Sequence, residues 1–193
     1  MRFTAVGKRV RALAVVAVVC LVAVVVCSQV GEAYKDSRQL DPIATSGGKP
    51  VVLIFLRTDC PISKRYAPTI HNLAAKFDGK ATFWLVFPSK DDSIEIIAGH
   101  TREFGYRLGV LRDPDHNLVS RAKATITPEA AVFDANGALK YHGRIDNLYV
   151  SFGHSRQAPT THDLDAALAA VLAGKSVDHA VTPAVGCYIS DVK

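Results

Sequence analysis

Two thiols set the chemistry this chain can attempt. Of its four cysteines, Cys20 and Cys27 lie inside an apolar run near the N-terminus, where cysteine behaves as a small hydrophobe. Cys60 and Cys187 are the two in polar surroundings. Pro61 follows Cys60 directly and is favoured at a first helical position. A cysteine there faces unpaired amide N–H groups and the positive end of the helix dipole, which favours the thiolate, the nucleophilic form. A strand-to-helix junction is also expected to leave the side chain partly exposed, unlike an inert packed cysteine. Lys64 and Arg65 add positive charge one turn on, whereas Asp59 opposes it unless its carboxylate points away. Ser63 cannot form a disulfide, but its hydroxyl can donate a hydrogen bond to the Cys60 sulfur.

The elements that position Cys60 follow from hydrophobic pattern. Residues 51–56 (VVLIFL) and 83–87 (FWLVF) are short, continuous apolar runs, as expected of strands buried on both faces. Between them Ile62, Tyr66, Ile70, Leu73 and Phe77 recur at helical spacing. The unit reads as strand, helix, strand. Residues 93–106 predict a second helix, 110–112 a short strand and 116–124 a short helix. Residues 130–133 and 139–145 predict two strands joined by a hairpin turn over Asp134-Ala135-Asn136-Gly137, whose Asn-Gly supplies the positive φ angles a tight hairpin needs. Residues 161–173 predict a closing helix capped by Thr161 or Asp163 and ended by Gly174. Parallel strands followed by an antiparallel hairpin make an α/β fold with a mixed central sheet flanked by helices.

The flanks carry a different signal. Arg2, Lys8, Arg9 and Arg11 precede the apolar residues 12–27, the pattern of a signal peptide or membrane anchor. Cleavage sites are expected after Ser28 or Ala33. Residues 28–49 read as a linker with one short edge strand, 50–175 as the domain and 176–193 as a tail holding Cys187. The net charge of +5 comes mostly from the N-terminal cluster, so nothing electrostatic points to nucleic acid. Seven histidines invite a metal reading, with His154 and His162 beside a cysteine as the candidate set for copper, but no pair has strong ligand spacing. The polar residues of 141–146 read as a solvated strand face. No metal or cofactor is expected.

Residues 60–68 (CPISKRYAP) resemble the active-site segment of the thioredoxin-like superfamily, which has Cys-x-x-Cys and a helix-kinking proline at the spacing of Pro68. Thr127-Pro128 and the hairpin after it resemble that superfamily's cis-proline strand. The resemblance covers about residues 40–175 and is nearest the redoxin branch, which groups extracytoplasmic oxidoreductases with peroxiredoxin-like proteins. It implies a three-layer sandwich, Cys60 as nucleophile, and Pro61, Thr127 and Pro128 beside the substrate. Ser63 stands where the second cysteine would be, so the resemblance also implies a C-terminal resolving role for Cys187, with an exposed tail cysteine as the alternative. The peroxidase motif departs from its pattern, since Arg57 occupies the position of the usual Thr or Ser; Arg112 and Arg121 are the candidate thiolate-stabilising arginines. The expected function is an extracytoplasmic thiol-disulfide oxidoreductase that acts on a protein or small-molecule substrate and is recharged by an external thiol. The alternatives are a thiol peroxidase and a non-catalytic membrane-tethered adaptor or copper carrier.

Overall fold

The computed structural model describes residues 34–190. The expected signal or anchor segment, with Cys20 and Cys27, lies outside the described residues. Among the described residues no helix is long and apolar enough to cross a membrane.

A six-stranded mixed sheet forms the centre. Its strands are β1 (Tyr34–Asp36), β2 (Val51–Phe55), β3 (Thr82–Phe87), β4 (Gly109–Arg112), β6 (Glu129–Phe133) and β7 (Leu139–Gly143), in spatial order β1-β4-β3-β2-β6-β7. β2 pairs in parallel with β3, and β3 with β4. On the other side β2 pairs antiparallel with β6, and β6 with β7. All five residues of β2 are buried, as its unbroken apolar sequence requires of a central strand covered on both faces. The edge strand expected in the N-terminal polar stretch is β1.

Among the described residues five helices flank the sheet: α1 (Pro61–Arg65), α2 (Ala67–Lys76), α3 (Ile94–Glu103), α4 (Asn117–Ala122) and α5 (Asp163–Leu172). The continuous helix expected from Ile62 to Phe77 is two pieces that meet at Tyr66. Pro68 supplies no amide for the Lys64 carbonyl, so the helical ladder cannot run through. The α5 N-cap is His162 with no side-chain cap; Thr161 instead donates to Asp163 at 2.9 Å. At the β6–β7 hairpin only Gly137 takes positive φ. The Asp134 carboxylate accepts from the Asn136 and Ala138 amides, which fixes the turn expected at residues 134–137.

Two short pairings were not legible. β8 (Tyr149–Ser151) and β9 (His154–Ser155) form a small hairpin. β5 (Ile126–Thr127) and β10 (Cys187–Tyr188) pair antiparallel outside the main sheet. β10 is followed by Ile189, which is 6% exposed and belongs to the core cluster containing Phe55, Leu111, Leu118, Val119 and Phe133. The C-terminal segment is therefore built into the domain.

Candidate active site

Cys60 ends the loop after β2 and is the N-cap residue of α1. Contrary to the partly exposed junction expected, it is 0% exposed. Two elements from elsewhere in the chain cover it. From β5, the Thr127 carbonyl accepts a hydrogen bond from the Cys60 Sγ at 3.2 Å. From β10, the Cys187 thiol is hydrogen-bonded to the Cys60 sulfur. Both cysteines are free thiols. The Thr127–Pro128 peptide bond is cis, as the resemblance implied, and Cys187 lies directly opposite Thr127 in the β5–β10 register.

The electrostatics of the two sulfurs diverge. Burial, the largest influence, pushes the Cys60 thiol up. Hydrogen bonds from Cys187, from the Ser63 amide and hydroxyl, and from the Ile62 amide outweigh it and hold Cys60 below the ordinary thiol value. These discrete donors take the role expected of a helix dipole, since α1 is a helix of 5 residues. Burial and the neighbouring Cys60 push Cys187 the other way, up to about 12. As pH rises, Cys60 therefore loses its proton before Cys187 does.

Ser63 is fully buried, and its hydroxyl also accepts from the Arg57 amide at 3.5 Å. Pro61 opens α1 beside the sulfur. Lys64 and Arg65 are exposed. Asp59 is exposed and paired with Arg57 at 2.7 Å, so its charge is answered at the surface. Arg112 donates to the Asp92 carbonyl at 2.9 Å, and Arg121 pairs with Asp41 at 2.6 Å. Neither candidate arginine is thereby assigned to the sulfur.

Two buried carboxylates brace the site, and neither was singled out from sequence. Asp92 accepts hydrogen bonds from the Thr58 hydroxyl and amide, which holds the loop leading to Cys60. Its pKa is raised by burial. Glu129, 5% exposed at the head of β6, accepts from the Thr125 and Ile126 amides at 2.9 and 3.2 Å. It also meets His142 Nδ1 at 3.3 Å. It thereby fixes the turn that presents β5 to Cys60. The only sequence signal for Glu129 was a charged residue at the start of an apolar strand.

The tail is held along its length. Val181 bridges His142 in parallel. The Thr182 hydroxyl meets the Tyr141 hydroxyl at 2.6 Å. Gly143 has φ 145°, and a side chain there would strike Thr182. A Cβ on Gly186 would collide with the Thr127 carbonyl. Arg57 donates to the Tyr188 carbonyl at 3.2 Å, and the Ile189 amide donates to the Thr125 carbonyl at 2.9 Å. The polar residues expected to form a solvated face at 141–146 are largely engaged. Arg144 pairs with Asp163 at 2.9 Å, and buried Asp146 accepts from the Tyr66 hydroxyl at 2.7 Å.

His154 lies exposed on β9 and His162 at the start of α5. Among the described residues no three His, Cys, Asp or Glu side chains converge as a metal site.

Mixed sheet, cysteine at a helix start and adjoining cis-proline together make a thioredoxin-like fold. A family model described as thioredoxin-like matches residues 47–139, and the described residues have the thioredoxin-like fold. Among solved structures, it is similar to an uncharacterized conserved protein from Geobacillus kaustophilus at 25% identity and TM-score 0.64, covering 74% of this chain and 77% of that one. A hypothetical protein from Sinorhizobium meliloti matches at 23% identity and TM-score 0.62, covering 74% and 80%. A thiol:disulfide interchange protein of the thioredoxin family from Chlorobium tepidum matches at 16% identity and TM-score 0.50, covering 67% and 83%, a likeness of fold. No curated protein matches the chain.

Proposed function

We propose that this protein is an extracytoplasmic thiol-disulfide oxidoreductase whose redox couple is Cys60 with Cys187. The observation that carries the reading is the hydrogen-bonded contact between the two thiols, one held below and the other above the ordinary thiol value. The basic cluster and apolar run at the N-terminus support export or tethering to the cell envelope.

In the forward reaction the Cys60 thiolate attacks one sulfur of a substrate disulfide. A mixed disulfide forms and the first substrate thiolate leaves. Cys187 loses its proton and attacks the Cys60 sulfur, releasing the second substrate thiol. Two electrons have passed to the substrate, and the Cys60–Cys187 disulfide remains. An external thiol donor restores the dithiol. Ser63 holds the Cys60 thiolate by its hydroxyl and amide and replaces the usual second cysteine of the motif. Pro61, Thr127 and Pro128 shape the surface beside the sulfur.

The test is the reduction of a small aromatic disulfide by the reduced full chain. One equivalent of substrate disulfide should be reduced per chain, with a Cys60–Cys187 link in the product. Cys60→Ser should abolish the reaction. Retained activity in that variant, or a product lacking the link, refutes the reading.

A further inference from the structure

The geometry points to Cys187 as the sulfur at which an external thiol donor enters, with Cys60 as the sulfur it releases. This inference rests on the dithiol reading above and assigns the two cysteines different partners.

Thr127 is the residue whose carbonyl touches the Cys60 sulfur, and its strand is already paired by β10. An extended peptide that sought to align a cysteine on Cys60 along this edge would have to remove residues 187–188. Removal is opposed by Ile189, buried in the core immediately afterwards. Extracting this side chain returns its buried apolar surface to water before any hydrogen bond is broken. The Arg57 and Thr125 contacts to residues 188 and 189 would also be lost. The tail therefore occupies the peptide position itself and presents its own cysteine opposite Thr127.

Substrate reaches Cys60 only when β10 lifts from β5, whereas a donor meets the sulfur that is accessible with the tail in place. Cys60 has no exposed surface, whereas Cys187 is partly exposed and is followed by Tyr188 at 77% exposure. Leaving-group chemistry agrees with access. Thiol exchange is faster when the departing thiol has the lower pKa, and Cys60 is the one held low. The donor thiolate attacks the Cys187 sulfur, the Cys60–Cys187 bond breaks, and its electron pair leaves on Cys60. Ser63 receives that thiolate with two ready donors. The donor is now linked to Cys187. A second donor thiol attacks the donor's own sulfur, Cys187 leaves and takes a proton from water, and the donor departs as its disulfide.

The experiment oxidises the full chain, verifies the Cys60–Cys187 link by peptide mapping, and exposes it briefly to 2-mercaptoethanol before an acid quench. Free thiols are alkylated and the adduct is mapped. We expect the mercaptoethanol on Cys187 and the alkyl group on Cys60, with at least a tenfold excess of this product in the early phase. An equal or larger adduct on Cys60 overturns the inference while leaving the dithiol couple intact. Failure to form the link in the first step overturns the couple itself, and the inference with it.

Discussion

Cys187 stands opposite Thr127 in an antiparallel pair whose other function is to carry the carbonyl that touches Cys60. One two-residue strand thus meets the Cys60 sulfur on one side and the Cys187 segment on the other. The relationship makes the tail part of the site and locates its weakest point at Gly186, where the chain must pass close to the Thr127 carbonyl.

Gly186→Ala should uncouple the cysteines without unfolding the domain. The new Cβ would collide with the Thr127 carbonyl and crowd Ile126. β10 must shift, and displacement of a reacting atom by about an ångström is costly to rate. Intramolecular disulfide formation should slow by on the order of tenfold or more, while the far-ultraviolet circular dichroism stays that of the parent. A variant that closes the disulfide at the parental rate would show that the register of β10 is not what aligns Cys187.

Donors to the Cys60 sulfur can be removed one at a time. Cys187→Ala deletes a thiol donor and Ser63→Ala deletes a hydroxyl donor, and each opposes the burial that pushes Cys60 up. Both variants should move the thiolate midpoint of Cys60 upward. Cys187→Ser, which keeps a donor in place, should move it less. Ultraviolet thiolate absorbance against pH, taken as a difference from Cys60→Ser, measures the midpoints. An unchanged midpoint in Cys187→Ala would refute the contact as the cause of the lowered value.

What the sequence disclosed, and what it hid, follows from the range of each interaction. β2 and β3 were legible because burial on both faces leaves continuous apolar runs. The Cys60–Pro61–Ser63 arrangement was legible because a helix start is written in adjacent residues. β5 and β10 have two residues each, too few to show any periodicity, and their pairing joins positions 60 residues apart. The closeness of Cys60 and Cys187 depends on that pairing and on Ile189 reaching the core. Asp92 and Glu129 were hidden for a related reason. Each acts by accepting backbone amides, and sequence does not say which amides lack partners.

Hydrogen peroxide should oxidise Cys60 no faster than it oxidises an ordinary thiolate. Fast peroxide reduction needs charge placed on the oxygen that leaves, and the arginines nearest in prospect are engaged. Arg112 holds the Asp92 carbonyl, Arg121 holds Asp41, and Arg57 is divided between Asp59 and the Tyr188 carbonyl. Stopped-flow oxidation of the reduced chain, with Cys187→Ser as the control for resolution, gives the rate. A value orders of magnitude above a free thiolate would make the protein a peroxidase, and accumulated sulfenic acid in Cys187→Ser would then identify Cys187 as its resolving residue.

Asp92 predicts a pH-dependent stability of defined sign. Burial raises its pKa above the ordinary carboxyl value of 3.8, so the folded protein holds this proton more tightly than the unfolded chain does. The stabilising contribution is complete below the unfolded value and is lost as pH rises through the folded one. Asp92→Asn stays uncharged and escapes that loss, while its side-chain oxygen can still accept from the Thr58 hydroxyl. The stability of Asp92→Asn relative to the parent should therefore increase from about pH 4 upward and level off once the parental carboxyl has ionised. Asp92→Ala, which strands the Thr58 donors, should lose roughly 1–3 kcal/mol and slow closure of the Cys60–Cys187 disulfide by loosening the loop before Cys60. Denaturant midpoints across pH for the three proteins provide the comparison. A constant difference between Asp92→Asn and the parent at every pH would show that the Asp92 carboxyl titrates alike in the folded and unfolded chain.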